Sequence, residues 1–288
     1  MNLRALRTLI EIERVGSFAV AAERLGITLS TVSAQMKTLE EELAFPLFDR
    51  RHRPPAMTPA ARQTAAHARR MLAEAEAVRA LGDQPGVLKG VIRIGFVGTA
   101  SVRLLPGFLL AAATRQPAAR FAVESGVSTD LVARLAAGEL EAAVVTESPD
   151  MPRGILTRRL RREAFALAAP AGAEGWPLAR CCAALPFIRF LPSTGIGLLV
   201  DGYLTRHAGP VGETVTLDSV EAVMGCVNAG IGFGVLPEAD ARRYAAGASV
   251  TVLDEPPLER LLCLAVQAGA AGARHVDSLA PLFAGPEA

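Results

Sequence analysis

The sequence predicts an α/β protein with a winged helix-turn-helix front end, one long connecting helix, and a remainder of two α/β lobes. Three observations carry this reading. "GSFAVAAERLGITLSTVSAQMKTLEEEL", Gly16 to Leu43, holds two helical hydrophobic patterns separated by one glycine. An unbroken helical stripe follows from Thr58 to about Leu81. After Gly90, short β-rich runs alternate with helical ones, the texture of βαβ units and a parallel sheet. At 288 residues, half of them apolar, the chain has material for more than one packed core.

In the front end, Phe18, Ala21, Ala22 and Leu25 recur at spacings of three and four, with Ser17 as N-cap. Gly26 supplies the left-handed turn that closes this helix, and Thr28 caps the next. The second helix buries Val32, Met36, Leu39 and Leu43, and small Ala21 and Ala22 let the two helices cross closely. So tight a corner reads as a helix-turn-helix, whose second helix can enter a DNA major groove, an ordinary helical hairpin in a core being the alternative. The face opposite Val32 and Leu39 presents Ser30, Ala34 and Lys37, flanked by Ser33, Thr38 and Glu41, with Thr28 and Thr31 at the helix start. Ser and Thr bond several base edges, Lys37 reaches guanine or phosphate, and Ala34 offers only apolar contact to a thymine methyl. Direct readout through such side chains is modest, which leaves specificity to dimer spacing and DNA deformability.

Downstream, "FPLFDRRHRPPAMTPAARQ" reads as a short strand, a basic turn and a helix start with Pro59 in its first position. This is a wing beside the recognition helix, with Arg50 and Arg53 as candidate phosphate contacts. The charge balance agrees: 13 basic against 10 acidic residues precede Gly90, and 17 against 19 follow. Arg50, Arg51, Arg53, Arg62, Arg69 and Arg70 fall in a stretch free of acids, which marks either a DNA-facing positive surface or a solvated helix face. The long helix then carries Ala61, Ala65, Ala68, Leu72, Ala75 and Val78 along one side. An alanine-rich stripe this thin is expected to pair with a second copy, docking on its own chain being the alternative. "LGDQPGVLKG", Leu81 to Gly90, is a turn-rich hinge.

In the remainder, the expected elements are "GVIRIGFVG", a helix near Ser101 to Ala113, "ARFAVES", a helix from Ser128, and "LEAAVVT". A second series follows: "AFALAAP", "PFIRF", a helix near Gly197 to His207, "ETVTL", a helix near Val220 to Asn228, and "GFGVLP". Ligands of open α/β sheets bind beyond the carboxyl ends of strands, at helix N-termini. The corners so placed are Thr99, Ala100 and Ser101, then Ser128 and Thr129, Thr146, and Ser193 and Thr194. Each hydroxyl is either a ligand contact or a plain helix cap, and together they point to a small anionic or polar ligand.

Residues 1 to about 62 resemble the DNA-binding domain of LysR-type transcriptional regulators. The pieces that carry the resemblance are "MNLRALRTLIEIERVGSFAVAAERLGIT", "VSAQMKTLEEEL", "PLFDR" and "MTPAA", in family order and spacing. "TLST" stands where the family often has a Ser-Gln-Pro-type start, Ala34 where a basic residue is frequent, and Ala61 in place of a common glycine. "RIGF", "ELEAAVV" and "AGIGFGVLP" extend the resemblance to the family's effector-binding domain, similar in fold to periplasmic binding proteins. The resemblance implies a domain at 1–62, a dimerising linker helix and hinge at 63–90, and an effector-binding domain at 91–288. Lobe I is expected at 91–163 and 267–288, lobe II at 164–266. It also implies effector contacts at the corners above and around Gly230 to Phe233, and assembly of dimers into homotetramers.

Other chemistries find no support in the sequence. "GIGFG" at Gly230 looks like a dinucleotide loop but follows a helix and precedes a strand, the reverse of a pyrophosphate cradle. "GVSTD" lacks the final glycine of a nucleophile elbow. His52, His67, His207 and His275 form no i,i+4 pair, and Cys181, Cys182, Cys226 and Cys263 follow no zinc spacing. Buried free thiols are expected, with oxidant sensing by Cys181 and Cys182 as the alternative. No cofactor, metal or membrane partner is expected. The N-terminus lacks the apolar core of a signal peptide, so a cytoplasmic location is expected. The expected function is DNA-binding transcription regulation tuned by a small effector. The alternative is a small-molecule-binding protein or enzyme that uses its N-terminal helices only to oligomerise.

Overall fold

The computed structural model describes residues 2–52, 54–79, 86–212 and 214–284. Arg53 and half of the expected hinge, residues 81–85, lie outside the described residues.

The front end is built from α1 (Leu3–Val15), α2 (Phe18–Leu25) and α3 (Leu29–Leu43). Ser17 caps α2, and Gly26 closes it at φ 64°. Leu6, Leu9, Ile12, Ala21, Ala22, Val32, Met36 and Leu39 form its core, each large aliphatic contributing about 1.5–3 kcal/mol by leaving water. A two-stranded wing follows, β1 (Phe48–Asp49) antiparallel to β2 (Ala56–Met57). Phe48 closes the wing onto α2 through an edge-on contact with Phe18, ring centroids 4.7 Å apart. Next comes α4 (Pro59–Arg79).

The alanine stripe of α4 does not wait for a second copy. Ala61, Ala65 and Ala68 are fully buried in the front-end core, and α4 packs mainly on α1. Small side chains let these two helices approach closely, and the chain uses that property within itself. Further along, Leu72 and Ala75 are half-buried, whereas Met71 and Val78 are exposed.

The remainder contains β3 (Gly90–Val97), α5 (Gly98–Arg115), β4 (Ala119–Gly126), α6 (Ser128–Ala136), β5 (Ala142–Thr146) and the long β6 (Ile155–Ala169). After it come α7 (Leu178–Ala184), β7 (Phe187–Phe190), α8 (Gly195–His207), β8 (Thr214–Leu217), α9 (Val220–Asn228) and β9 (Gly234–Pro237). The chain ends with α10 (Glu238–Tyr244), β10 (Ser249–Val252), β11 (Glu259–Gln267), α11 (Ala270–Leu279) and a 3-10 turn, Ala280–Phe283. α5 begins three residues earlier than the sequence pattern implied, so Thr99 to Ser101 form its first turn.

The large sheet runs β10-β6-β11-β5-β3-β4, with β9 also on β6. It is mixed, not parallel as the sequence texture suggested. β3 pairs β4 and β5 in parallel, but β11 and β6 run against their neighbours. The chain crosses between the lobes twice. β6 pairs β11 up to Ala164, then β9 and β10 from Phe165 onward. The return crossing lies near Leu258, whose carbonyl accepts the Phe165 N–H at 2.9 Å. β11 sits on the sheet of lobe I, so lobe II ends near 258, ahead of the expected 266. The last turn also returns to lobe I, where Phe283 stacks on Phe108.

Candidate functional site

Two surfaces carry the residues singled out by sequence. The first is the outer face of α3. Val32, Met36 and Leu39 face inward, and this leaves Ser30, Thr31, Ser33, Ala34 and Lys37 exposed on the opposite side. Thr28 is exposed too, but its hydroxyl oxygen accepts the Thr31 N–H at 3.2 Å and lies within 2.9 Å of the Ser30 and Thr31 hydroxyls. Its first duty is to start the helix. Lys37 lies 3.7 Å from Glu41, an exposed pair of little strength.

The wing is held by Glu40 at the end of α3. Its Oε1 accepts the N–H groups of Leu47 and Phe48 at 2.8 and 3.0 Å, and its Oε2 takes Arg50 Nη2 at 2.9 Å. Arg50 therefore anchors the wing as well as facing solvent. The basic stretch is less positive than its sequence suggests, because acids from elsewhere meet it: Arg51 pairs with Asp49, and Arg69 with Glu13. Arg62 is exposed and has no ion pair among the described residues.

The second surface is a cleft of about 280 Å³ between the lobes. Thr99, Ser128, Thr146 and Thr194 line it together with Val97, Gly126, Val127, Phe190, Leu191, Ile196, Asp218 and Arg260. Three helices begin there. α5 starts after Val97 with no side-chain cap and no acid in its first turn. α6 starts after Val127, also uncapped, with Asp130 in its first turn. α8 is capped by Thr194, which accepts the Gly197 N–H at 3.0 Å and donates to the Leu191 carbonyl at 2.8 Å. That hydroxyl is fully used. A Cβ on Gly197 would lie 2.3 Å from the Leu191 carbonyl oxygen, so glycine is what lets α8 press on this loop.

The other hydroxyls keep a proton to give. Thr99 Oγ1 accepts from Arg260 Nη1 at 2.9 Å, which leaves its own O–H to donate. Ser128 Oγ accepts the Thr146 N–H at 3.2 Å, with the same result. Free N–H groups of α5 and α6 add partial positive charge. This arrangement suits an anionic group.

Six of the sequence candidates fall outside the cleft lining. Ala100 is fully buried, turned into the core of lobe I. Phe233 is fully buried and stacked on Phe187, centroids 5.2 Å apart. Gly230, at φ 81°, closes α9 on an exposed turn. Ser101 bonds its hydroxyl to the Gly98 carbonyl at 2.7 Å, and Thr129 and Ser193 are exposed away from the cleft.

A larger opening of about 1050 Å³ separates α1 and α4 from lobe I. Its charged walls are satisfied by one another, through Arg7–Glu76, Arg69–Glu13, Arg93–Glu141 and Arg134–Glu124.

Residues 3–62 match the bacterial regulatory helix-turn-helix protein, lysR family, and residues 85–283 match the LysR substrate binding domain. The chain belongs to the LysR family of transcription regulators. It is 30% identical to the HTH-type transcriptional regulator AbaB of Streptomyces antibioticus, over 96% of this chain and 95% of the relative. It is 29% identical to the HTH-type transcriptional regulator IlvR of Caulobacter vibrioides, over 90% of each. A full-length OxyR variant from Pseudomonas aeruginosa superposes with a TM-score of 0.79 at 25% identity, covering 98% of this chain and 94% of that one. The protein is thus a DNA-binding transcription regulator with a small-molecule effector domain, and not an enzyme. LysR-type regulators bind DNA and effectors and oligomerise. Among the described residues no group of His, Cys, Asp or Glu could hold a metal ion, and no helix is long and apolar enough to cross a membrane.

In this LysR-type chain, sequence reasoning missed a buried charge network beside the cleft. Glu163, where β6 crosses, takes Arg260 at 2.7 Å and Arg103 of α5 at 2.8 Å. Arg103 also reaches Asp240 of α10 at 3.1 Å. Burial pushes the Asp240 carboxyl up, while the two guanidiniums outweigh burial and hold Glu163 below the usual carboxylate range. The only signal in the sequence was the presence of charges amid apolar strands.

Proposed function

We infer that this regulator works in the cytoplasm as a homodimer, dimers pairing into tetramers, on a partly palindromic operator. Ser30, Thr31, Ser33, Ala34 and Lys37 of α3 face the bases, and Thr28 and Arg50 hold the recognition helix and wing in place. Arg53 of the wing and Arg62 reach phosphates. A small effector bearing an acid group binds the cleft, where Thr99 and Ser128 donate hydroxyl protons and α5 supplies free N–H groups. The observation that carries the effector reading is the convergence of helix N-termini and donor hydroxyls on one inter-lobe cleft.

The cleft reaches the DNA-binding end through α6. Its first turn lines the cleft at Ser128, and its last carbonyls, Ala136 and Ala137, accept from Arg70 and Arg69 of α4 at 3.3 and 3.5 Å. Arg69 also pairs with Glu13 of α1. One rigid helix of about 13 Å therefore spans from effector to linker.

Footprinting of the full-length protein on DNA flanking its coding region, over a salt series, tests this function. Two protected half-sites a whole number of helical turns apart are expected, with affinity falling steeply as salt rises. Absence of protection at low salt would overturn the assigned DNA face.

A further inference from the structure

The cleft has a second polar end that recognition of an acid group leaves unused. Asp218, just after β8 on lobe II, lines the cleft, is exposed, and has no ion-pair partner among the described residues. It is not consumed by the helix that follows, because Ser219 caps α9 by accepting the Ala222 N–H at 3.3 Å. The other end is the uncapped N-terminus of α5 on lobe I, where Arg260 orients the Thr99 hydroxyl. Thr146 lines the same space at 8% exposure, with no hydrogen-bond partner for its hydroxyl among the described residues. That hydroxyl is free to bond a ligand in the cleft.

The charges of Arg103, Arg260, Glu163 and Asp240 offset one another, so the acid end presents donors and a helix terminus instead of a bare cation. That suits one carboxylate better than a dianion such as phosphate. The apolar lining of the same space is Val97, Val127, Leu191 and Ile196, with Phe190 beside them. At about 280 Å³ the space is smaller than the roughly 300–1,000 Å³ typical of drug-sized ligands. We propose that the effector is a zwitterion, an α-amino acid with an aliphatic side chain. Its carboxylate sits at the start of α5 with Thr99, its ammonium at Asp218, and its side chain on the apolar lining. The proposal rests on the reading of this cleft as the effector site and names the class of molecule that fills it. Such a ligand joins the two lobes, because its two charges belong to different ones.

The test is calorimetric titration of the full-length protein with L-leucine, L-isoleucine and L-valine. The best binder is then compared with its analogue lacking the ammonium group, 4-methylpentanoate in the case of leucine, and with the amine lacking the carboxylate. At least one amino acid is expected to bind, and both analogues are expected to bind tenfold or more weakly. Asp218→Asn, at an exposed position with no ion pair to lose, should bring the amino acid and the carboxylate to similar affinity, and Thr99→Val should weaken both. Equal binding of 4-methylpentanoate by the unaltered protein, or an unchanged preference in Asp218→Asn, overturns the zwitterion and leaves the acid-binding cleft standing. Failure of every amino acid and every carboxylate to bind at millimolar concentration overturns both.

Discussion

Glu163 answers two arginines from a position 6% exposed, so its removal leaves more buried positive charge than Asp240 alone can offset. Glu163→Gln keeps the shape and deletes the charge. Breaking a buried pair in this way costs about 3–5 kcal/mol, and urea unfolding should register that loss in the effector-binding part. The exposed pair Arg158–Asp277, at 3.9 Å, is the control. Arg158→Gln should change stability by less than about 0.5 kcal/mol. A Glu163→Gln protein as stable as the parent would show that Asp240 or water compensates for the missing carboxylate. At this scale the sequence revealed whatever follows from local position. Thr99, Ser128, Thr146 and Thr194 reach the cleft because each stands where a strand ends or a helix begins, and those boundaries are written in periodicity. Arg260 and Asp218 were not readable, since their roles depend on which distant strand crosses beneath which loop. Ala100 and Phe233 failed for the opposite reason: local position placed the one near the cleft and the family resemblance the other, but helix phase and ring stacking turn them into the core.

At the level of elements, α6 joins two surfaces that no local pattern connects. Its N-terminus opens on the cleft, while Arg69, Arg70 and Gln267 hold its C-terminal carbonyls. On the proposed route, a ligand that draws on the first turn would shift the helix along its axis, and the two arginines would pass the shift to α4. Arg69→Ala combined with Arg70→Ala should leave ligand affinity at the cleft close to that of the parent. The effect of ligand on DNA affinity, expected at roughly 5–150-fold for an allosteric protein, should fall toward none. Titration calorimetry and ligand-dependent footprinting measure the two quantities separately, and retention of the footprint change would remove α6 from the route. The hydrophobic period of α4 predicted the helix correctly and its partner less well. Ala61, Ala65 and Ala68 make a face suited to close approach, and periodicity cannot say whether the approaching helix belongs to the same chain. The first half of β6 was hidden by its arginines, since Arg158, Arg159 and Arg162 face solvent and pair with Asp277, Glu147 and Glu259, so the strand reads as a charged run.

For the whole molecule, the outward crossing in β6 and the return crossing near Leu258 make each lobe depend on the other, whereas the front end connects through α4 and the ion pairs around it. What α4 leaves uncovered bears on assembly. Met71 and Val78 are 41% and 66% exposed, and seven residues place them two turns apart on one face. Exposed apolar side chains at this spacing suit a second copy of the helix, the seam expected of paired helices. Val78→Glu tests this without touching the core. In a monomer the substitution lies in solvent and changes stability by less than about 0.5 kcal/mol, so the unfolding midpoint of the protein at low concentration should hardly move. Across a helix pair it sets two like charges against each other at the seam, and sedimentation should then show dissociation at concentrations where the parent is associated. Footprints should shrink from two half-sites toward weak, separate contacts, because each winged helix-turn-helix unit loses the tethering that raises its effective concentration at the second half-site. An unchanged sedimentation profile would move the interface off this face of α4, and the effector-binding lobes would become the surfaces to examine for the pairing that DNA recognition requires.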